Sequence, residues 1–564
     1  MVQQFTVCPK ETVSMTTPDR VRLDADVYRP DSAGSFPVLL MRQPYGREIA
    51  STVVYAHPTW YAAQGFIVVI QDVRGRGTSE GEFQLFQNEV ADGYATVEWA
   101  AQLSESDGQV GMYGFSYQGM TQLFAAQAQP SALKAIAPAM VGYHPYTDWA
   151  YENGALLLQA GLGWAIQLAA ETARLRGDQP AFQALYQASR QLPLQDEIPA
   201  CPQVLKQYAP DSFFHDWVSH PEEDDYWQTL CPQLEAVDLP MLHIGGWFDP
   251  YLRGDLRLYK EMAARSQFPQ PLWIGPWGHI PWGPKVGGRD FGPEANSPID
   301  RLQVDWFNAV LKGQKTKNSE VSPVHLFEMG INRWRSLPEW PQENPQIWKL
   351  DSKGLASISQ LEGHLALVNP ALVPDAKRDD SLNLTNTDAF DTLVHDPWRP
   401  VPSCGGHAAM PSGSFDRSSV DCRSDVLTYT SSPLDTPVQV AGQIEAIVYC
   451  KSDRPSFDLC CVVSEVCLDG SVYSLTQGYG RFTSLSGNWM PHSLRLQPTC
   501  FCIMPGNALR LSISAACYPA YALNPGTGEQ PAKSRLLDAK VITITVQVGQ
   551  HSQTCLRLPI ARHQ

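Results

Sequence analysis

The chain has 564 residues, 43% of them hydrophobic and 18% charged, which suits a folded protein of two or three domains with sizeable cores. Asp and Glu total 58 against 42 Lys and Arg, a formal charge of -16, and this argues against a nucleic-acid partner because phosphate binding needs clustered cations. No apolar run of about 20 residues and no low-complexity tract occurs, so neither a membrane span nor a disordered tail is expected.

The opening residues, Met1-Val2-Gln3-Gln4-Phe5-Thr6-Val7, lack a basic segment followed by an apolar one. No secretory signal is read there, and a cytoplasmic location is expected. Residues 21–28 and 37–42 have strand text, and 65–71 is a short unbroken apolar run of the kind buried on both faces of a sheet. Between 88 and 103, Val90, Tyr94, Val97 and Ala101 recur at helical spacing. A strand at 109–113, a helix at 120–127 and a further buried strand at 133–138 complete an alternation that implies a mainly parallel sheet covered by helices.

The rhythm changes near Gly142, and 143–238 is helical text rich in Ala, Gln and Trp, expected to form a cap above the carboxyl edge of the sheet. Strand character returns at 239–245 and 271–275, with a crossover helix at 252–264 between them. A helix follows, with Ser297 as N-cap, Pro298 in the first turn, Leu302, Trp306 and Val310 on one face, and Gly313 as the stop. A polar linker at 314–322 precedes short strands and turns, among them 438–449, a hairpin over 462–475 around Asp469-Gly470, 508–515 and 541–548. The expected division is therefore an α/β catalytic domain at 1–142 and 239–315, a helical cap at 143–238, and an all-β sandwich at 323–564. Ten of the 13 cysteines fall between Cys404 and Cys555 without C-x-x-C spacing, and are read as buried free thiols rather than a metal cluster.

The chemistry is carried by Gly114-Phe115-Ser116-Tyr117-Gln118-Gly119, between a strand and a helix. A serine on so sharp a turn projects its hydroxyl above the sheet as a nucleophile, although the spacing exceeds the usual G-x-S-x-G by one residue. Serine catalysis also needs a histidine base and an acid that orients it. Asp249, in Gly246-Trp247-Phe248-Asp249-Pro250, and His279, in Pro276-Trp277-Gly278-His279, each follow a returning strand, and the order Ser116, Asp249, His279 is the one this fold class uses. His243 reads as a core residue, His144, His215 and His220 fall in the cap, and Asp255 lies inside the crossover helix. The backbone N–H of Tyr117 is one expected oxyanion donor. Tyr45, in Gln43-Pro44-Tyr45-Gly46-Arg47, either offers its hydroxyl as the second or packs as an ordinary aromatic. The loop Asp72-Val73-Arg74-Gly75-Arg76-Gly77-Thr78-Ser79-Glu80-Gly81 lacks a phosphate-loop ending, and Arg74 or Arg76 is expected to pair with Asp72 or Glu80.

These segments, together with Arg42-Gln43-Pro44-Tyr45-Gly46, Phe327-Glu328-Met329-Gly330-Ile331-Asn332-Arg333-Trp334 and Ser424-Asp425-Val426-Leu427-Thr428-Tyr429, resemble the group of α/β-hydrolases that contains cocaine esterase, X-Pro dipeptidyl-peptidase and α-amino-acid ester hydrolase. The resemblance spans nearly the whole chain and includes the six-residue serine motif. It implies an α/β-hydrolase fold with a helical cap, followed by a jelly-roll domain of the galactose-binding type. It further implies that Tyr45 gives its hydroxyl to the oxyanion hole, that Ser116, Asp249 and His279 are nucleophile, orienter and base, and that no metal or organic cofactor is needed.

The substrate is expected to be a small-molecule ester or amide, held in a pocket walled by Tyr45, Tyr117, Trp149, Trp164, Phe248 and Tyr251, each of which is equally readable as a core aromatic. Asp148 and Glu152 offer carboxylates for a substrate ammonium, though two acids on one helical turn usually form a solvated face. Carboxylic ester hydrolysis is favoured over X-Pro dipeptidyl or α-amino-acid ester and amide cleavage. A binding protein with an idle hydrolase domain is the non-enzymatic alternative, and a homo-oligomer is left open.

Overall fold

Ten strands join in one sheet, in the order Glu11–Thr16, Arg22–Tyr28, Ile67–Asp72, Phe36–Gln43, Ser106–Phe115, Leu133–Ala139, His243–Phe248, Leu272–Gly278, Val324–Glu328 and Arg333–Leu337. This comes from a computed structural model of the chain, in which residues 4–48, 52–314, 323–342, 344–368, 389–483 and 487–561 are described. Neighbours from Ile67–Asp72 through Val324–Glu328 run parallel, and antiparallel strands close both ends. Every position of Ile67–Asp72 and Phe36–Gln43 is buried, because helices cover both faces of a parallel sheet, and this is why their text is unbroken apolar rather than alternating. Each strand and helix expected in this part forms, with ends moved by a few residues.

The helix Ile299–Lys312 ends at Gly313, whose φ of 62° is the left-handed stop a glycine supplies. Its inward stripe is Ile299, Val304, Phe307 and Leu311, while the expected face of Leu302, Trp306 and Val310 lies half-buried on its flank. The tertiary reason is Gly111: a Cβ there would come within 2.6 Å of the Phe307 ring, so the strand leaves the space this ring occupies. Of the linker expected at 314–322, residues 315–322 lie outside the described residues. Val324–Glu328 and Arg333–Leu337 then extend the first sheet, and the strands of the β region that follow begin with Pro345–Asp351. Local periodicity identifies a strand but carries no information on which sheet it joins.

The strands from Pro345–Asp351 onward form the β domain. The segment expected as one strand over 438–449 divides into Val438–Gly442 and Glu445–Ser452, which join different sheets after a turn in which Gly442 has a φ of 129°. Glu445–Ser452 alternates buried and half-buried residues, as a strand with one covered face should. Ser456–Val466 and Ala508–Ser514 are buried on both faces. Leu459, Cys461, Leu511 and Ile513 face the domain's own core, whereas Cys460 and Val462 pack with Ala155 and Leu157 of the cap. None of the cysteines is disulfide-bonded. Among the described residues no helix is long and apolar enough to cross a membrane.

The cap contains the turn Pro145–Ala150, the short hairpin Tyr151–Glu152 and Ala155–Leu156, and the helices Leu158–Leu175, Gln179–Arg190, Gln203–Tyr208, Phe213–Ser219 and Asp225–Thr229. The two acids read as a solvated face are buried. Arg253 and Arg257, one turn apart on the helix Leu252–Arg265, answer Glu152 and Asp148 at 2.8 and 3.1 Å. Glu152 also accepts from His407 Nε2 at 2.8 Å, the Tyr521 hydroxyl at 2.6 Å and the Tyr479 N–H at 3.2 Å, so one carboxylate ties the cap, the α/β domain and the β domain together. Burial works to raise this carboxyl, but the Arg253 guanidinium, His407 and Tyr521 outweigh it and hold it down at about 2. Because the folded value lies below the ordinary 4.5, the stabilisation is complete above that pH and is lost as pH falls towards 2. Glu152→Gln, which leaves Arg253 without its counter-charge, is expected to lower the unfolding free energy by about 3–5 kcal/mol and to flatten its pH dependence between these limits, as read by denaturant titration.

Candidate active site

Ser116 ends the strand Ser106–Phe115 and caps the helix Tyr117–Gln127 with φ 60° and ψ -128°, a conformation that a residue with a side chain adopts only under constraint. The constraint comes from the flanking glycines. A Cβ at Gly114 would lie 2.5 Å from that of Gln118, and one at Gly119 would lie 2.3 Å from Val141 Cγ1. With both absent, the helix sits close enough for the Ser116 N–H to reach the Ala139 carbonyl at 2.9 Å. Ser116 is 6% exposed. Below it, the Tyr117 hydroxyl donates to Glu89 at 2.8 Å, and Arg42, fully buried, donates to the other Glu89 oxygen at 2.6 Å. The Tyr117 side chain thus braces the elbow.

Tyr45 follows the strand Phe36–Gln43, and its N–H donates to Gln43 Oε1 at 3.0 Å. Its hydroxyl accepts from Trp164 Nε1 at 3.1 Å. Burial pushes this phenol up to about 12, so it is neutral, with a proton to donate, at ordinary pH.

Asp249 follows His243–Phe248, and its N–H closes a turn on the Gly246 carbonyl at 3.1 Å. One carboxylate oxygen accepts from the Tyr251 N–H at 2.7 Å, and the other meets His279 Nδ1 at 2.6 Å. A proton on Nδ1 leaves Nε2 as the acceptor of the neutral ring. The imidazole lies 5.3 Å from the ring of Phe115, the residue before Ser116, and is edge-on to Tyr251 at 5.0 Å, while the His279 carbonyl accepts from Trp282 Nε1 at 3.1 Å. Phe115 and Trp282 were not singled out in the sequence, although both sit within three residues of a motif residue. The rival residues lie elsewhere. His243 is buried against Gln270 and held down at about 4 by that burial, and Asp255 accepts from the Val141 N–H while burial raises its carboxyl well above the carboxylate range.

Four of the expected pocket walls come together. Tyr251 contacts Trp149 at 4.6 Å, Trp149 stacks on Trp164 at 5.1 Å, and Trp164 reaches Tyr45, so an aromatic arc runs from the histidine to the tyrosine hydroxyl. Tyr117 touches Trp164 at 6.5 Å but commits its hydroxyl to Glu89. Phe248 does not join the arc; it packs on Phe291 at 6.4 Å in the core shared with the β domain, since alternate residues of a strand face opposite sides. The expected pairing of the arginine loop also differs. Arg74 binds Asp19 and Asp92, Asp72 binds Arg47, Glu80 binds Arg22, and Arg76 lies 3.9 Å over Phe83 and donates to the Leu168 carbonyl at 3.1 Å. A cleft of about 630 Å³ opens between this loop and the cap helices, lined in part by Arg76, Phe83, Ala165, Leu168 and Phe213. Among the described residues no group of three His, Cys, Asp or Glu is gathered to hold a metal ion. A hydroxyl, an oriented imidazole and a neutral phenol form a set able to carry acyl transfer through a serine.

Residues 19–281 match the model of the X-Pro dipeptidyl-peptidase (S15) family, and residues 318–554 match that of the X-Pro dipeptidyl-peptidase C-terminal non-catalytic domain. Cocaine esterase of Rhodococcus sp. (strain MB1 Bresler) is 29% identical over 573 residues, 96% of this chain and 97% of that protein. The crystal structure of an aminopeptidase from a marine sediment Thaumarchaeota archaeon superposes with a TM-score of 0.81 at 21% identity, over 100% of this chain and 97% of that one. An α-amino acid ester hydrolase structure superposes with a TM-score of 0.75 at 21% identity, over 98% and 96%. At these identities the two structures speak for the shared fold.

The strain at residue 116 is measurable. Glycine relieves a positive φ that alanine retains, so Ser116→Gly is expected to unfold with a free energy about 1 kcal/mol higher than Ser116→Ala. Equal denaturation midpoints for the two would show the elbow to be unstrained.

Proposed function

The chain belongs to the X-Pro dipeptidyl-peptidase (S15) family of serine hydrolases, its two matched regions together spanning most of the sequence, and from that premise we propose that it hydrolyses small carboxylic esters through an acyl-enzyme on Ser116. The observation that carries this reading is the 2.6 Å contact between Asp249 and His279 beside a serine of positive φ. His279 Nε2 takes the Ser116 proton as Oγ attacks the carbonyl carbon. The oxygen that becomes negative is met by the Tyr45 hydroxyl and by the Tyr117 N–H, which opens the helix and has no acceptor within it. His279 then protonates the departing alcohol, and a water deprotonated by the same ring releases the acid.

The arc of Trp149, Trp164 and Tyr251 favours an apolar or aryl acyl group, and the cleft beside Arg76 is the entrance in this reading. Ammonium capture by Asp148 or Glu152 is disfavoured, because both carboxylates are already neutralised by Arg257 and Arg253. This supports ester cleavage over α-amino-acid or X-Pro chemistry, and likeness to an esterase along nearly the whole chain points the same way.

Two measurements test the reading. Ser116→Ala is expected to abolish hydrolysis of short p-nitrophenyl esters and labelling by a serine-directed phosphonate, while Tyr45→Phe lowers kcat about a hundred- to a thousandfold with little change in KM. Full activity of Ser116→Ala would sink the mechanism. In a substrate panel, phenylacetyl and benzoyl esters should exceed Ala-Pro and glycyl amides in kcat/KM, and a preference for Ala-Pro amides would replace esterase with dipeptidyl-peptidase.

A further inference from the structure

The loop that presents Asp249 is held from outside its own domain. Gln497, between the strands Met490–Arg495 and Thr499–Ile503 of the β domain, is buried and turns its amide towards the end of His243–Phe248. Gln497 Nε2 donates to the Asp249 carbonyl at 2.7 Å and to the Trp247 carbonyl at 3.1 Å. Both N–H bonds of one amide thus close on carbonyls two residues apart, across the turn made by the Asp249 N–H and the Gly246 carbonyl. The glutamine itself is fixed: its N–H donates to the Gln477 carbonyl at 2.8 Å, and its carbonyl accepts from Thr476 Oγ1 at 2.6 Å.

The other end of this amide is informative. Gln497 Oε1 is buried and has no partner. Turning the amide over would set that oxygen against two carbonyl oxygens and orphan both of them, so the carbonyls of the loop dictate its orientation. An unpaired buried acceptor is tolerated in order to hold residues 247–249. The β domain presses on the companion loop as well: a Cβ at Gly278 would fall 2.2 Å from Ser412 Oγ, directly before His279.

We propose that Gln497 is a positioning residue for the Asp249–His279 pair, through which the β domain takes part in catalysis. The proposal rests on the reading of that pair as orienter and base. By holding the carbonyls of Trp247 and Asp249, Gln497 stops the two peptide planes from rotating, and their orientation sets where the Asp249 carboxylate points. Without the amide the carboxylate keeps its chemistry but loses its aim at Nδ1, and misplacement by about 1 Å can cost about a hundredfold in rate.

Gln497→Met preserves length and removes both donors, while Gln497→Asn keeps the amide on a shorter side chain. For p-nitrophenyl ester hydrolysis by the full chain, the expected order of kcat is Gln, then Asn, then Met. The methionine variant should be lowered about ten- to a hundredfold, with KM changed by less than about twofold. Proton NMR supplies a reading that a merely structural role would not move: the far-downfield signal of the His279 Nδ1 proton should broaden or disappear in the methionine variant. Val426→Ala, a change in a separate apolar cluster of the β domain that contains no residue of this loop, serves as the matched destabilised control and should keep both kcat and signal. A Gln497→Met protein with parental kcat and an intact downfield proton, whatever its melting temperature, would overturn the proposal. Should the methionine variant not fold, parental kcat and signal in Gln497→Asn would overturn it equally. Asp249→Asn separates the two levels: if it retains full activity the triad reading itself fails, and if it is inactive while Gln497→Met is fully active, only the role of Gln497 fails.

Discussion

The close approach of one helix to one sheet is the condition on which the rest of this site depends. The helix Tyr117–Gln127 begins directly above the end of Ser106–Phe115, and the chain joins them by holding Ser116 at a φ of 60°. Nothing local to a serine favours that conformation. It persists because Gly114 and Gly119 leave no atoms where Gln118 and Val141 need to be, and because Glu89, shared by Arg42 and Tyr117, supports the turn from beneath. The placement of the Ser116 hydroxyl is therefore a product of packing several residues deep.

Around that elbow each unit of the protein contributes a different kind of constraint. The α/β domain offers Asp249 and His279 from the ends of neighbouring parallel strands, where side chains converge at the carboxyl edge. The cap supplies the aromatic arc, in which Trp164 both stacks on Trp149 and orients the Tyr45 hydroxyl. The β domain lies against the loops that carry Asp249 and His279. Its attachment is electrostatic as well as apolar, for Glu152 is a buried charge whose desolvation is outweighed by Arg253, His407 and Tyr521 acting together. A buried carboxylate without such partners is pushed the other way, as burial raises the carboxyl of Asp255.

Much of this was legible in the residues. The parallel sheet, its helices, the cap and a following β region could be read from apolar runs and periodicity, and the relative order of Ser116, Asp249 and His279 from their places after strands. What failed was of one kind. The face of the helix Ile299–Lys312, the partners of Arg74 and Arg76, the burial of Asp148 and Glu152, the direction of Phe248 and the sheet joined by Val324–Glu328 all depend on which distant segment lies opposite. Periodicity describes a segment relative to itself and is silent about its neighbour.

The sequence by itself determined the chemical inventory: a serine between glycines, a histidine and an acid after strands, a tyrosine behind a strand, and apolar text sufficient for two cores. Tertiary structure alone decided which of these groups meet, which acids are neutralised, and that an amide at position 497 reaches the carbonyl of residue 249. The reason is range. Backbone propensity and side-chain spacing act over a few residues, whereas hydrogen bonds, ion pairs and ring contacts act over a few ångströms between segments that the chain separates by hundreds of positions.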